Sequence, residues 1–145
     1  MEPAIESSLH TAIVNKQRRL PHHLLAQLLA QCANNSLPLS KRLARVTRIS
    51  VHENFRRLGL GSRLLKAIEQ HLLSPVNSDK RVDAVGASFA KDPVSVNFWR
   101  NNGYKEFHEG FRKNPRTALP SSAVLKSKRD DVNTCLLYTS DAADD

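Results

Sequence analysis

Apolar residues return every three or four positions through the start of the chain. Ile5, Leu9 and Ile13 stand four apart, which predicts a helix within residues 4–17. Pro21 breaks that pattern. Leu24, Leu25, Leu28 and Leu29 then form a second apolar stripe, predicting another helix within 22–33. Asn, Ser and Pro mark residues 34–45 as a loop. The β-branched run 46–51, with Ile49 and Val51 on one side, predicts a strand. Beyond Gly59 and Gly61, Leu64, Leu65, Ile68 and Leu72 line one side of an amphipathic helix, with Arg63, Lys66 and Gln70 off the stripe. Residues 74–80 form a loop and 82–89 a second buried strand. Asp92 and Pro93 look like an N-cap followed by proline at the first helical position. That helix would pass Phe98 and Trp99 to Asn102 and stop at Gly103. Residues 104–109 and 117–126 are candidate late strands, the second weakened by Pro120. Strand, helix and strand in that order make a right-handed crossover with parallel strands, so the middle of the chain is α/β.

The turn between the first strand and its helix reads Arg56, Arg57, Leu58, Gly59, Leu60, Gly61, Ser62. A helix start presents unpaired N–H groups and partial positive charge, and phosphate binds there when no side chain blocks it. Two glycines remove side chains at that point, and Arg56, Arg57 and Arg63 add charge, which suits a pyrophosphate. G-x-G alone is weak evidence. There is no third glycine for a dinucleotide fingerprint and no GK[ST] for a Walker loop. A plain glycine-rich turn entering a basic helix is the competing reading.

Charge agrees with an anionic partner. Lys and Arg total 22 against 14 acids, a net charge of +8 in 145 residues, enough for one domain. Nucleic acid, a phosphorylated cofactor and a membrane surface all remain open on that ground. No apolar run approaches the ~18 residues of a membrane span and no leader pattern stands at the start, so neither span nor signal peptide is expected. Cys32 and Cys135 form no disulfide framework and no metal-ligand cluster, so a reduced, cytoplasmic setting without a metal is the expectation. The last residues, 135–145, turn acidic and resemble a translated sequencing-library adapter. On that reading they are non-native, and the remaining balance is 22 bases to 11 acids.

The pattern R-x-x-G-x-G-S after a strand, followed by a second strand and then DPVSVNFWRNNGY, resembles the GCN5-related N-acetyltransferases. Asp92 stands in the Asn place of their later helix, Ser95 in the Ala place, Phe98 and Trp99 in the Phe-Tyr place, and Gly103 and Tyr104 in the Gly-Phe place. The helical lead-in with PHHLLAQLLAQ, the strand RVTRISVH, the pair Ser88-Phe89 and the NFWRNNGY helix are similar, more closely, to the tRNA(Met) cytidine acetyltransferases over about residues 5–130.

This resemblance implies a partial acetyltransferase fold: a mixed sheet with parallel central strands and flanking helices. It implies a helical lead-in over 1–45 and an acetyl-CoA-binding core over 46–134. The activity implied is acetyl transfer from acetyl-CoA to the N4 amine of the wobble cytidine of elongator tRNA(Met). ATP would be used only by a helicase-like module that this sequence lacks. The early strands of the fold are also expected to be missing, leaving a fragment with an exposed sheet edge and poor stability.

The backbone of Ile49, Ser50 and Val51 is implied to hold the pantetheine arm and polarise the thioester; a plain buried strand is the alternative. His52 is the best-placed general base, against an ordinary strand-end histidine. His22, His23, His71 and His108 are read as surface residues. Trp99 stands where relatives carry an acidic Tyr hydroxyl, so the general acid is unassigned. Arg112, Lys113, Arg116, Lys126, Lys128 and Arg129 form a basic stretch that fits either RNA phosphates or a solvated face. A stand-alone acetyltransferase of proteins or small amines, and a non-enzymatic RNA-binding module, are the competing functions.

Overall fold

A computed structural model describes residues 1–20, 23–55, 58–73, 82–110 and 118–143. The lead-in folds as a 3-10 turn at Ser7–Leu9, helix α1 at His10–Val14 and helix α2 at Leu24–Ala33. Leu25, Ala26, Leu29 and Ala30 are the buried face of α2, so the stripe is rotated from the leucine pairs by about one position. Asn34 ends the helix in the left-handed conformation (φ 50°), which Asn adopts more readily than most residues. The other end of α2 has no cap from its own N-cap side chain. The buried carboxylate of Glu2 serves instead, accepting from the N–H groups of Leu25 (3.0 Å) and Ala26 (3.2 Å). A negative group there satisfies free donors and opposes the helix dipole.

Four strands form one sheet: β1 at Leu43–Val46, β2 at Ala84–Ala90, β3 at Lys105–Glu109 and β4 at Ser121–Ser127. Their order is β1-β2-β4-β3. β1 runs parallel to β2, and β4 is antiparallel to both β2 and β3. The expected strand over 46–51 is corrected. Pairing begins earlier, at Leu43 opposite Ala84, and ends at Val46 opposite Ala87. β propensity drew the expectation onward, but a strand exists only where a partner backbone lies alongside it. Pro120 does not weaken β4, because it precedes the ladder and its carbonyl accepts from Lys91 N–H at 2.9 Å.

Alternation along the strands divides the core between two faces. Leu43, Ala84, Phe107, Ala123 and Leu125 pack with α1, α2 and helix α5 (Asp130–Ala143). Ala44, Val85, Ala87 and Val124 pack on the other face with helix α3 (Leu60–Leu72) and helix α4 (Pro93–Asn101). Gly86 lies under α2. A Cβ there would meet Val124 O at 2.6 Å, Leu125 Cδ1 at 2.7 Å and Leu25 Cδ1 at 3.0 Å. Helix α5 continues into residues set apart above as non-native, with Cys135, Leu136 and Thr139 buried.

Candidate functional site

Past Val46 the two parallel strands part. β2 continues to Ala90, with Ser88, Phe89 and Ala90 paired to β4 alone. Residues 47–52 leave the ladder, although their side chains still alternate: Ile49 and Val51 are half-buried, while Arg48, Ser50 and His52 are exposed. The result is an opening in the ladder beside the stretch of β2 that carries Phe89, whose ring stacks on Trp99 (ring centroids 6.1 Å apart).

Helix α3 starts beside this opening. Gly59 is its N-cap, with φ 76° and no side-chain cap. An added Cβ would meet nothing within 4 Å, so glycine is needed there for its left-handed backbone. Gly61 has a different reason. A Cβ there would sit 3.3 Å from Phe98 Cε2 and 3.6 Å from Val51 Cγ2. Its missing side chain lets α3 approach α4 and residue 51, a packing reason the sequence reading did not include. Leu58 and Leu60 are exposed, and Arg63 is exposed on α3. Arg56 and Arg57 lie outside the described residues.

A chain of buried polar contacts ties α3 to α4 and β4. Asn102, the C-cap of α4, donates from Nδ2 to Ser62 Oγ (3.0 Å) and to Phe98 O (2.8 Å). Glu69, 7% exposed, accepts from the Tyr104 hydroxyl (2.7 Å) and from Lys126 Nζ (3.0 Å). Lys126 also donates to Asn102 O (2.9 Å). Burial, reinforced by the hydrogen bond to Glu69, pushes the Tyr104 hydroxyl well above the ordinary tyrosine pKa. None of these contacts carries a local sequence signature. The partners of Glu69 arrive from α4's exit and β4, and the apolar stripe assigned Leu64 to the buried side, whereas Leu64 is 50% exposed.

The cap of α4 is as expected. Asp92 accepts from Ser95 N–H (2.9 Å) and from its hydroxyl (2.8 Å), which holds the Asp92 carboxyl below its usual pKa. His52 is exposed, and its Nδ1 accepts from Asn54 N–H (3.2 Å). In the neutral ring the proton therefore resides on Nε2, and the lone pair a base would use is already engaged. His108 is half-buried rather than on the surface, and its Nδ1 lies 3.5 Å from Cys32 Sγ. Burial lowers the His108 pKa and raises that of Cys32. Within the basic stretch, Lys126 is held by Glu69, and Arg129 by Asp83 and Asp131. Arg112, Lys113 and Arg116, like His22, lie outside the described residues. Among the described residues no helix is long and apolar enough to cross a membrane, and no three His, Cys, Asp or Glu side chains are placed to hold a metal.

Comparison with known proteins agrees with this geometry. The acetyltransferase (GNAT) domain family matches residues 22–106. The tRNA(Met) cytidine acetyltransferase TmcA of Haloarcula marismortui is 34% identical over 113 residues, 78% of this chain but 13% of its own length. That of Methanopyrus kandleri is 29% identical over 130 residues, 87% of this chain and 14% of its own. Among solved structures, Ard1 from Thermoplasma volcanium superposes with a TM-score of 0.50 at 18% identity, covering 61% of this chain and 57% of that one. Arabidopsis thaliana NAA60, in complex with a bisubstrate analogue, gives 0.50 at 11% identity over 60% of this chain and 50% of its own. These two carry the fold alone. The resemblance drawn from the turn and the NFWRNNGY helix is thus upheld: the chain belongs to the GNAT acetyltransferase domain family, and the relatives it matches include tRNA(Met) cytidine acetyltransferases.

Proposed function

We propose that this chain is the cofactor-binding part of an enzyme that moves an acetyl group from acetyl-CoA to the N4 amine of a tRNA cytidine. The observation that carries the reading is the parting of β1 from β2 after Val46 and Ala87, with the start of α3 beside it. The opening fits the cofactor: β2 carries strand backbone without a β1 neighbour, and among the described residues no side chain or distant backbone stands within 4 Å of where a Cβ on Gly59 would be. Acetyl-CoA, when bound, supplies the activated acyl group. The amides of Leu60, Gly61 and Ser62 would face its phosphates, with Arg56, Arg57 and Leu58 leading into them. Ile49, Ser50 and Val51 would flank its pantetheine arm.

The acceptor amine is a poor nucleophile, so placement against the acyl carbon contributes most of the acceleration. His52 would act as a base only after Asn54 releases Nδ1; otherwise it donates from Nε2. Trp99, 4% exposed, has no hydroxyl, and the Tyr104 hydroxyl is committed to Glu69. The chain would offer no tyrosine acid to the thiolate, whose thiol pKa of about 8–9 would let it depart unprotonated, and the proton shed by the amine would pass to His52 once Nδ1 is free or to solvent. ATP use and further tRNA contacts are assigned to parts of the longer protein outside this chain, which acts in the cytoplasm. Residues 135–145 are assigned to a non-native origin.

The test is titration with acetyl-CoA by calorimetry, followed by incubation with radiolabelled acetyl-CoA and either tRNA(Met) transcript or peptide amines. Label in N4-acetylcytidine is the expected result. Absence of acetyl-CoA binding, or label on the peptide alone, overturns the proposal.

A further inference from the structure

We propose that Asn102 is a positioning residue that aims the Ser62 hydroxyl at the phosphates of the cofactor; this deepens the function proposed above and rests on it. The orientation of the Asn102 amide is fixed by chemistry. The Phe98 carbonyl only accepts, so the atom 2.8 Å from it is the nitrogen. That same nitrogen lies 3.0 Å from Ser62 Oγ. Both amide hydrogens are then donated, one to each oxygen, and Ser62 is obliged to accept.

A hydroxyl that accepts from one side keeps its own hydrogen to donate elsewhere. Among the described residues no acceptor takes it. Ser62 lies half-buried in the first turn of α3, next to Gly61, whose Cβ position is 3.6 Å from Val51 Cγ2 in the segment that leaves the ladder. Its hydrogen is therefore available to an anion arriving at the helix start, where a bond to phosphate is charge-assisted. Asn102 is 7% exposed and held in place from behind, since its own carbonyl accepts from Lys126 Nζ at 2.9 Å. That contact passes to Glu69 and Tyr104, so the donor that orients Ser62 is anchored to β4 and to the middle of α3.

Asn102→Asp tests this. The carboxylate has the same shape but no hydrogen to give, so it accepts from Ser62 and draws the hydroxyl away from the phosphates. The assay compares acetyl-CoA with S-acetylpantetheine, which carries the same thioester without the pyrophosphate. Asn102→Asp is expected to weaken acetyl-CoA binding by about tenfold or more and to leave S-acetylpantetheine unchanged. Ser62→Ala, which removes one oxygen at a half-buried position, should reproduce that split. The double variant should lose no more than either single one. Equal weakening of both ligands would mean a structural role and overturn the inference, as would unchanged acetyl-CoA binding in either variant. Failure of the unaltered chain to bind acetyl-CoA would instead remove the proposed function on which the inference stands. Should Asn102→Asp fail to fold, the Ser62→Ala split decides alone.

Discussion

Replacing Gly59 separates two uses of one residue. Its φ of 76° lies in the left-handed region, and an added Cβ would meet nothing within 4 Å. Any loss of stability in Gly59→Ala is therefore a backbone cost, about 1–2 kcal/mol for a non-glycine residue held there. Part of this is offset because alanine has less freedom to lose on folding, by about 0.4–1 kcal/mol. The net is roughly 1 kcal/mol, or a fall of about 3–5 °C in Tm for a chain of this size. Gly59→Asn should behave differently. Asn tolerates the left-handed region, and at an N-cap its side chain can accept from the helix N–H groups that now lack a cap, so its Tm should stay within about 2 °C of the parent. Both side chains, however, occupy the space assigned to the phosphates. Acetyl-CoA affinity should fall in both variants, and further for Asn. Thermal unfolding followed by far-ultraviolet circular dichroism, with parallel cofactor titrations, reads both effects. Equal destabilisation by Ala and Asn would refute the backbone account; full affinity in the Asn variant would refute the placement of the phosphates.

Gly86→Ala should be more damaging, by about 1–3 kcal/mol or more, because the new methyl meets the Val124 carbonyl at 2.6 Å rather than a movable side-chain tip; urea unfolding measures it. Asp92→Ala should cost about 1 kcal/mol through loss of the α4 cap. Because the folded carboxyl sits below its free value, that contribution is present above about pH 4 and lost as the pH falls further, so the Tm values of the two proteins should converge on acidification below that point. Tyr104→Phe removes a hydrogen bond to a buried carboxylate and should cost about 1.5–3 kcal/mol at neutral pH. The folded hydroxyl has a raised pKa, so its contribution is intact below about pH 10 and lost above it; alkaline melts should show the gap between parent and variant closing.

What could be read from the chain alone was what is decided locally. Asp92, Pro93 and Gly103 mark the two ends of α4 because capping and left-handed termination involve neighbours in sequence. Gly59 and Gly61 marked the turn that opens α3, but the reason for Gly61 lies in Phe98 and Val51, which only folding brings to it. Residues 46–51 have strand propensity throughout, yet the ladder ends at Val46 because the chain leaves β2 there, while β2 continues beside β4. Helix α3 shows the same limit. Its leucines suggested one buried face, while the actual face includes Glu69, made tolerable by Tyr104 and Lys126 from 35 and 57 positions away. Asn102 resembled a simple helix end for the same reason, since its partner Ser62 is 40 residues earlier.

Trp99 is the sole tryptophan in the chain, and it touches Phe89, Phe98 and Tyr104, with ring centroids 6.1, 5.2 and 4.8 Å away. Phe89 belongs to the part of β2 beyond the parting, and Phe98 lies against Gly61. The protein thus carries its own optical reporter. Shielded from water, the indole should emit at short wavelength in the native state and shift to the red on unfolding. Filling the opening above Phe89 should change its intensity without that red shift, so one emission spectrum distinguishes occupancy from denaturation with no attached dye.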